Sequence, residues 1–214
     1  MEVIENYIGG LEIKERPSEP ISIVKCIDDF NIQLINKEES LQSGIRIGKL
    51  LIPKTHKDFP KLFLLNTILG GYFGSRLMTN IREDKGYTYG IGSGLSSNKK
   101  ESTFFISTEV GSDYTKATVT EIEKEIEKLQ KQLVSEKELD LVKNYLFGSF
   151  MRNFDGAFEA IDRFKAINEL GMDYNYYEFL FSEIKTANSE SIRETAKKYF
   201  NFDNMVKVVA GKLN

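Results

Sequence analysis

Residues 65–95 read LNTILGGYFGSRLMTNIREDKGYTYGIGSGL, and the rest of the chain is organised around this stretch. The pattern predicts the end of one helix, a glycine hinge, a short second helix and a strand. Gly70 and Gly71 are expected to end the first helix, because glycine readily adopts the left-handed conformation of a helix cap. Ser75 is placed to cap the second helix through its hydroxyl, and Gly86 to end it.

The apolar period changes within this stretch. Leu77, Met78 and Ile81 give the second helix an apolar face, whereas the residues from position 87 onward alternate as in a strand. One strand face should carry Tyr87, Tyr89, Ile91 and Leu95, and the other Thr88, Gly90, Gly92 and Gly94. Arg82 lies near the last turn of the helix. The helix-to-strand reversal can therefore bring the guanidinium of Arg82 and the phenol of Tyr89 to one side of a cleft.

The segment GGYFGSRLMTNIREDKGYTYGIGS resembles the signature of the C-terminal half of the pitrilysin/insulinase-type zinc metallopeptidases. That superfamily includes mitochondrial processing peptidase, and the segment most resembles the branch to which this peptidase belongs. In the family this segment supplies an arginine and a tyrosine, seven residues apart, to an active site whose zinc belongs to a different domain. Arg82 and Tyr89 match that pair in type and spacing. The similarity extends from about residue 21 to the C-terminus, but only this segment is specific.

The resemblance implies catalytic roles for Arg82 and Tyr89. Arginine presents a rigid fork of donors that can hold a peptide carbonyl or carboxylate, and a tyrosine phenol can donate to a carbonyl oxygen that becomes negative during hydrolysis. Tyr87, Gly90 and Gly92 are the expected substrate-binding positions. Each of these residues also has an alternative interpretation that involves no function. Arg82 can be a solvated residue near the end of a helix dipole, the two tyrosines can belong to the core, and the two glycines can allow another element to pack closely.

Composition narrows the classes of function. The 214 residues carry a net charge of −3 with both signs interspersed, which argues against a nucleic-acid interface. No apolar run approaches the ~20 residues of a membrane span, and the N-terminus lacks the features of a signal peptide. These features do not identify the cellular compartment of the protein. The segment 70–74 is rich in glycine but lacks the lysine–serine ending of a phosphate-binding loop.

His56 is the single histidine and Cys26 the single cysteine of the chain. A catalytic zinc of the usual peptidase kind needs two histidines and a carboxylate, so no metal site is expected here. His56 lies in a loop-like stretch between two prolines and is interpreted as a surface residue. The resemblance places the zinc on a partner, which is a zinc-bearing N-terminal domain or a separate catalytic subunit.

The predicted fold is α+β, with an antiparallel or mixed sheet and helices packed on one face. Residues 1–20 have the composition of an interdomain linker remnant, with an ordinary flexible N-terminus as the alternative, and residues 21–214 should form a single domain. Strands are predicted at 21–27, 31–35, 42–52, 87–95, 102–110 and 205–210. Residues 87–95 and 102–110 should pair as an antiparallel hairpin.

Helices are predicted from Asp58, which can cap the first of them, and then at 119–133, 135–150, from Asp155 or Gly156 to about 171, and at 176–184 and 191–200. Residues 135–138 form a capping-box pattern, and Asn188 or Ser189 can cap the last helix. The helix after position 156 bears Phe158, Ile161, Phe164 and Ile167, and the aromatic residues of 173–181 are expected in the core.

Three functions are compatible with this pattern. The favoured one is the non-zinc half of a metallopeptidase, which binds extended peptide and completes a zinc site on another domain. The second is a proteolytically inactive structural or assembly subunit of the same superfamily, and the third is a free-standing peptide-binding module. The absence of a His-x-x-Glu-His motif predicts that the chain alone is inactive.

Overall fold

A computed structural model describes residues 2–11, 32–152 and 156–212. Within them a five-stranded sheet has the order β1-β5-β2-β4-β3. The strands are β1 (Ile32–Asn36), β2 (Gln42–Leu51), β3 (Thr88–Ser97), β4 (Ser102–Gly111) and β5 (Val206–Gly211). β1 and β5 run parallel and the other neighbouring strands are antiparallel, so the sheet is mixed. The predicted fold class and the antiparallel hairpin of β3 and β4 are confirmed.

The helices are α1 (Glu2–Ile8), α2 (Phe59–Asn66), α3 (Thr115–Lys131), α4 (Glu136–Arg152), α5 (Ala157–Asn168), α6 (Asn175–Thr186) and α7 (Ser189–Tyr199). Two π-helical turns, Thr67–Gly71 and Met78–Asp84, flank the hinge, and two short 3₁₀ turns lie at Ser112–Tyr114 and Phe202–Asn204. The strand predicted at residues 21–27 lies outside the described part of the chain. Among the helices of that part, none combines the length and apolarity that crossing a bilayer requires.

The core lies between the helices and one face of the sheet. Alternate residues of the two central strands are fully buried, as Ile45, Ile47, Phe104 and Ile106 show, whereas their neighbours on the other face stay accessible. Burial of such side chains contributes about 1.5–3 kcal/mol each. The opposite face of the sheet is thus open to solvent in the described ranges, and the site predicted above lies at its margin.

The glycine pair ends the first helix for a different reason from the predicted one. Neither Gly70 nor Gly71 has a positive φ. A Cβ on Gly70 would instead lie 2.6 Å from the Oγ and 2.7 Å from the backbone nitrogen of Ser93. The helix ends where it meets the edge of β3, so close packing rather than a left-handed cap requires this glycine.

Three predicted helix caps are also corrected. The hydroxyl of Ser75 is buried without a hydrogen-bond partner in the described residues, so it caps nothing. The carboxylate of Asp58 accepts hydrogen bonds from α7 rather than from its own helix. In the predicted capping box, Ser135 accepts the backbone N–H of Glu138, but the Glu138 carboxylate makes a bidentate bridge of 2.8 Å to Arg76. For Asp58 and Glu138, tertiary partners outcompeted the local ones.

Other local predictions hold. Asn188 caps α7 in a reciprocal capping box with Ser191, and Gly86 ends its helix with φ +66°. Of the aromatic residues predicted in the core at 173–181, Tyr176 and Tyr177 are buried, but Tyr174 and Phe179 are exposed, so this prediction holds only in part. On α5, however, only Ile167 is fully buried, and the rest of its predicted apolar residues are exposed.

Candidate functional site

Tyr89 lies on a bulge at the start of β3. Thr88 is opposite Val110 and Ile91 is opposite Thr108, so β3 has one residue more than β4 over this stretch. Ile91 therefore shares its face with Thr88 and is buried, while Tyr89 is 94% exposed. The predicted common face of Tyr89 and Ile91 is wrong, because the extra residue reverses the strand alternation.

Hydroxyl groups hold the bulge in this shape. The Thr88 Oγ1 accepts the backbone N–H of Gly90 at 3.1 Å and donates to the carbonyl of Glu109 at 2.6 Å. The Thr108 hydroxyl donates to the carbonyl of Gly90 at 2.9 Å. These bonds satisfy the N–H and carbonyl of Gly90 and the carbonyl of Glu109 without the Tyr89 phenol, which faces solvent.

Arg82 lies in the second π-helical turn. The backbone N–H of Gly86 donates to the carbonyl of Arg82 at 3.2 Å, and that of Tyr87 donates to Ile81 at 3.0 Å, which closes the turn into β3. The Arg82 guanidinium lies 4.6 Å from the ring centroid of Phe73, a residue that is 65% exposed. This contact uses the face of the guanidinium, and within the described residues its N–H groups donate no hydrogen bond, so they are available to a ligand.

A polar anchor holds the π-helical turn against α3. Asn80 donates to Glu125 at 2.6 Å and to Glu121 at 3.2 Å, and Lys85 lies 3.7 Å from Glu121. The hydrogen bond from Lys124, followed by that from Asn80, lowers the pKa of Glu121. The anchored turn presents Arg82 from a fixed backbone, as π-helical turns at functional sites often do.

The three predicted substrate-binding positions have different surroundings. The Tyr87 ring is stacked on Tyr114 with 4.5 Å between centroids, so one of its faces is covered. A Cβ on Gly92 would lie 3.4 Å from the carbonyl of Gly70, whereas a Cβ on Gly90 would meet nothing within 4 Å. Gly90 is the one of the three that is open for approach.

A groove of about 270 Å³ adjoins Tyr89 and Gly90 on the open face of the sheet. It is also lined by Arg46, whose guanidinium donates to the carbonyls of Ile45 and Thr108 at 3.0 and 3.2 Å. The phenol and the remaining guanidinium donors can bind carbonyl or carboxylate oxygens of a ligand in this groove.

Sequence reasoning missed Phe73 and Arg46 as members of this surface. The alternation of β2 places Arg46 on its less buried face, which was a usable signal. Phe73 lies between glycines in the hinge, and no periodic pattern marks it. In the described part of the chain no hydrogen bond or ring contact joins Arg82 to Tyr89, so their convergence on one site stays a prediction.

The residues of this chain do not fit a catalytic zinc. The Nδ1 of His56, the only histidine, accepts the backbone N–H of Asp58 at 3.0 Å. Over the described ranges no group of three histidine, cysteine or acidic side chains could hold a metal ion. Hydrolysis that depends on zinc would need ligands from elsewhere.

Comparison with known proteins supplies the family. The sequence profile of the peptidase M16 inactive domain matches residues 1–146, which is more than half of the chain. The chain is 25% identical over 209 residues to YmxG, an uncharacterized zinc protease of Bacillus subtilis (strain 168); the match covers 97% of this chain and 50% of that protein.

Solved structures have the same fold. A peptidase M16 inactive domain from Pseudomonas fluorescens is 27% identical, with a TM-score of 0.78 over 86% of this chain and 44% of that one. A protease from Helicobacter pylori is 18% identical, with a TM-score of 0.83 over 98% of this chain and 51% of that one. This chain therefore spans about half the length of these relatives.

Proposed function

The chain belongs to the family of peptidase M16 inactive domains, and from that premise we propose that it is the non-zinc half of a zinc metallopeptidase. In this role it contacts an extended peptide and completes an active site whose zinc lies on another domain or subunit. The partner is a zinc-bearing N-terminal domain of the same polypeptide or a separate catalytic subunit.

The observation that carries the proposal is the position of Tyr89. A tyrosine in a strand usually packs its ring in the core, yet this ring is 94% exposed on a hydrogen-bonded bulge. Bulges next to active sites redirect side chains in this way. In the proposed role, the phenol donates to a peptide carbonyl oxygen as negative charge develops on it, and its exposure supports this role.

Arg82 has a complementary role in the proposal. Its guanidinium is fixed over Phe73 at 4.6 Å and belongs to an anchored backbone turn. A fork of donors held in this way binds the oxygens of the peptide in the ground state as well as later along the reaction. Arg82 is thus expected to contribute to substrate affinity, and Tyr89 mainly to turnover.

The groove beside Gly90 gives the peptide a path. With no side chain and open space above it, Gly90 lets a peptide backbone approach the sheet face near Arg46. The B. subtilis relative is named a zinc protease, and this chain covers 50% of it, which supports a second half that carries the metal.

The test is peptidase kinetics with the zinc-bearing half present. Tyr89→Phe removes only the hydroxyl and should lower kcat by about 10²–10³-fold, as the loss of other oxyanion donors does. Tyr7→Phe is the matched control, because Tyr7 is 82% exposed and lies on α1, outside the site. Neither variant should change the melting temperature.

Arg82→Ala should raise KM as well as lower kcat, and Arg82→Lys should restore only part of the loss because an ammonium is not a fork. The chain without its partner should cleave none of the peptide. Near-normal turnover of Tyr89→Phe in an active assembly would contradict the proposal and favour the second function, a structural or assembly subunit. A collapse of stability in either site variant would show that the residue is structural.

A further inference from the structure

A cavity of about 340 Å³ lies between α2, α4, α5 and α6, at the end of β3 opposite to Tyr89. Its wall is largely aromatic and aliphatic, and includes Phe59, Phe63, Phe150, Tyr176, Tyr177 and Leu180. The volume is in the ~300–1,000 Å³ range of small-molecule sites. None of the residues assigned to peptide contacts above lines it.

Contacts between aromatic rings hold the wall of this cavity together. Phe63 meets Phe59 and Phe150 with centroid distances of 6.5 and 6.3 Å, and Phe150 meets Tyr177 at 6.3 Å. The Tyr177 hydroxyl donates to the carbonyl of Arg163 at 3.1 Å, which ties α6 to α5. The cavity is therefore a preformed space rather than a gap between loose elements.

Two cations line this apolar space. Lys54 Nζ lies 5.2 Å from the ring centroid of Tyr176, and Arg163 lines the same cavity. In the part of the chain that the structure describes, neither makes an ion pair. The acidic residue of the lining, Glu169, lies 3.9 Å from Lys165 instead. Burial lowers the pKa of Lys54, and the nearby charge of Arg163 lowers it further.

A buried hydroxyl in the same wall also lacks a hydrogen-bond partner among the residues that the structure describes. Tyr176 is 7% exposed, and its hydroxyl makes no hydrogen bond within the described residues. Buried hydroxyls are usually satisfied, so each exception needs an explanation. Within the described residues, Lys54 and Arg163 have no ion-pair partner and the Tyr176 hydroxyl has no acceptor, although all three belong to the lining of one cavity. An anionic acceptor on an apolar body would complement all three groups and the aromatic wall.

We propose that this cavity binds a carboxylate carried on an apolar body, with the body against the aromatic wall and the carboxylate near Lys54 and Arg163. The Tyr176 hydroxyl donates to the same carboxylate. Two sources share this chemistry: a small aryl-alkyl acid, and the C-terminal carboxylate of a peptide that ends in an aromatic residue.

The first experiment is calorimetric titration of the chain with 4-phenylbutyrate and with its uncharged amide. The acid should bind one saturable site, and the amide at least about ten-fold more weakly, because charge-assisted hydrogen bonds are lost. A parallel titration uses N-acetyl-Gly-Phe as the free acid. Tighter binding of this peptide assigns the site to a C-terminus, and tighter binding of 4-phenylbutyrate assigns it to a small acid.

Variants assign the binding to this cavity. Lys54→Met should lower the affinity for 4-phenylbutyrate by about five-fold or more, whereas Lys61→Met should leave this affinity unchanged. Lys61 is the matched control because it lies on α2 beside the cavity wall but bridges to Glu183 at 3.4 Å. Tyr176→Phe should weaken binding while the melting temperature of the free chain stays the same or rises, since an unpaired buried hydroxyl is removed.

Three results would overturn the proposal: no saturable binding of either acid, equal affinity for acid and amide, or equal effects of Lys54→Met and Lys61→Met. A lower melting temperature in Tyr176→Phe with unchanged affinity would likewise show that the hydroxyl is structural.

Discussion

The two ends of β3 have opposite surroundings. At its start a bulge turns Tyr89 outward to the open sheet face, beside a shallow polar groove. At its end Leu95 and Ser97 line a cavity walled by aromatic side chains from three helices. One irregularity in the hydrogen-bond ladder suffices to expose a side chain, whereas an enclosed cavity needs several elements to pack together.

The middle of β3 separates these two environments. Its edge is covered by the end of α2 and by the second π-helical turn. The Ile91 N–H donates to the sulfur of Met78 at 3.4 Å, and the Ser93 hydroxyl donates to the carbonyl of Asn66 at 3.2 Å. A further strand cannot add along this covered edge. In the proposed function, the part of this strand left open to the peptide is therefore its start, near Tyr89 and Gly90.

The largest expected difference is between two residues that ideal alternation would place on one face. Ile91→Ala should destabilise the fold by about 2–5 kcal/mol, because it leaves a cavity in the core. Tyr89→Ala should change the free energy of unfolding by less than about 0.5 kcal/mol. Urea unfolding with an unchanged m-value measures both. Equal losses of unfolding free energy in the two variants would mean that no bulge places Tyr89 and Ile91 on different faces.

Substitution of two glycines compares the covered edge of β3 with its open start. Gly70→Ala should cost about 1–3 kcal/mol, since its Cβ would press on the strand backbone at Ser93. Gly90→Ala is the matched control: its Cβ meets open space and its φ is not positive, so the change should stay within about 1 kcal/mol of zero. Chemical denaturation distinguishes the two, and a stable Gly70→Ala would refute the close approach.

The smallest expected effect concerns the cavity end. Asp58 precedes α2, and hydrogen bonds from Lys198 and then Tyr199, at 2.7 and 2.6 Å, lower its pKa to about 2. Because the folded pKa lies below the unfolded value of about 3.9, this carboxylate stabilises the fold above that pH. The contribution, below about 1 kcal/mol for a pair near the surface, is lost as the pH falls from about 4 to about 2.

Asp58→Asn should therefore be less stable than the parent at neutral pH, and the difference should shrink toward pH 2. Asp140→Asn on α4 is a control, because Asp140 is exposed and makes no ion pair in the described residues. Denaturation curves at several pH values measure the difference. A stability gap for Asp58→Asn that stays constant with pH would contradict the assignment of these hydrogen bonds.

Much of the fold could be predicted because its signals are local. The hairpin follows from two alternating segments joined by a short polar loop, and the cap of α7 from Asn188 and its neighbours. For the candidate site, local pattern located Tyr89 in a strand and Arg82 near a helix end. Their proposed roles rest on the resemblance to the peptidase family and stay predictions.

Two errors in the predicted helix caps arose where a distant partner outcompeted a local one. Asp58 and Glu138 each had a plausible role in a helix cap, but lysine, tyrosine and arginine side chains far along the chain bind them instead. The bulge at Tyr89 depends on a threonine of the neighbouring strand, which periodicity within one strand cannot reveal.

By itself the sequence determined the α+β class and the order of most elements, because hydrophobic periodicity and glycine positions are local patterns. It also determined the lack of a full set of zinc ligands, because this follows from counting histidines and cysteines. Only the tertiary structure decided which side of β3 Tyr89 faces, why Gly70 must be glycine, and that Lys54 and Arg163 meet at one aromatic cavity. These features depend on the approach of residues that are far apart in the chain, and such approach is set by the packing of the whole core.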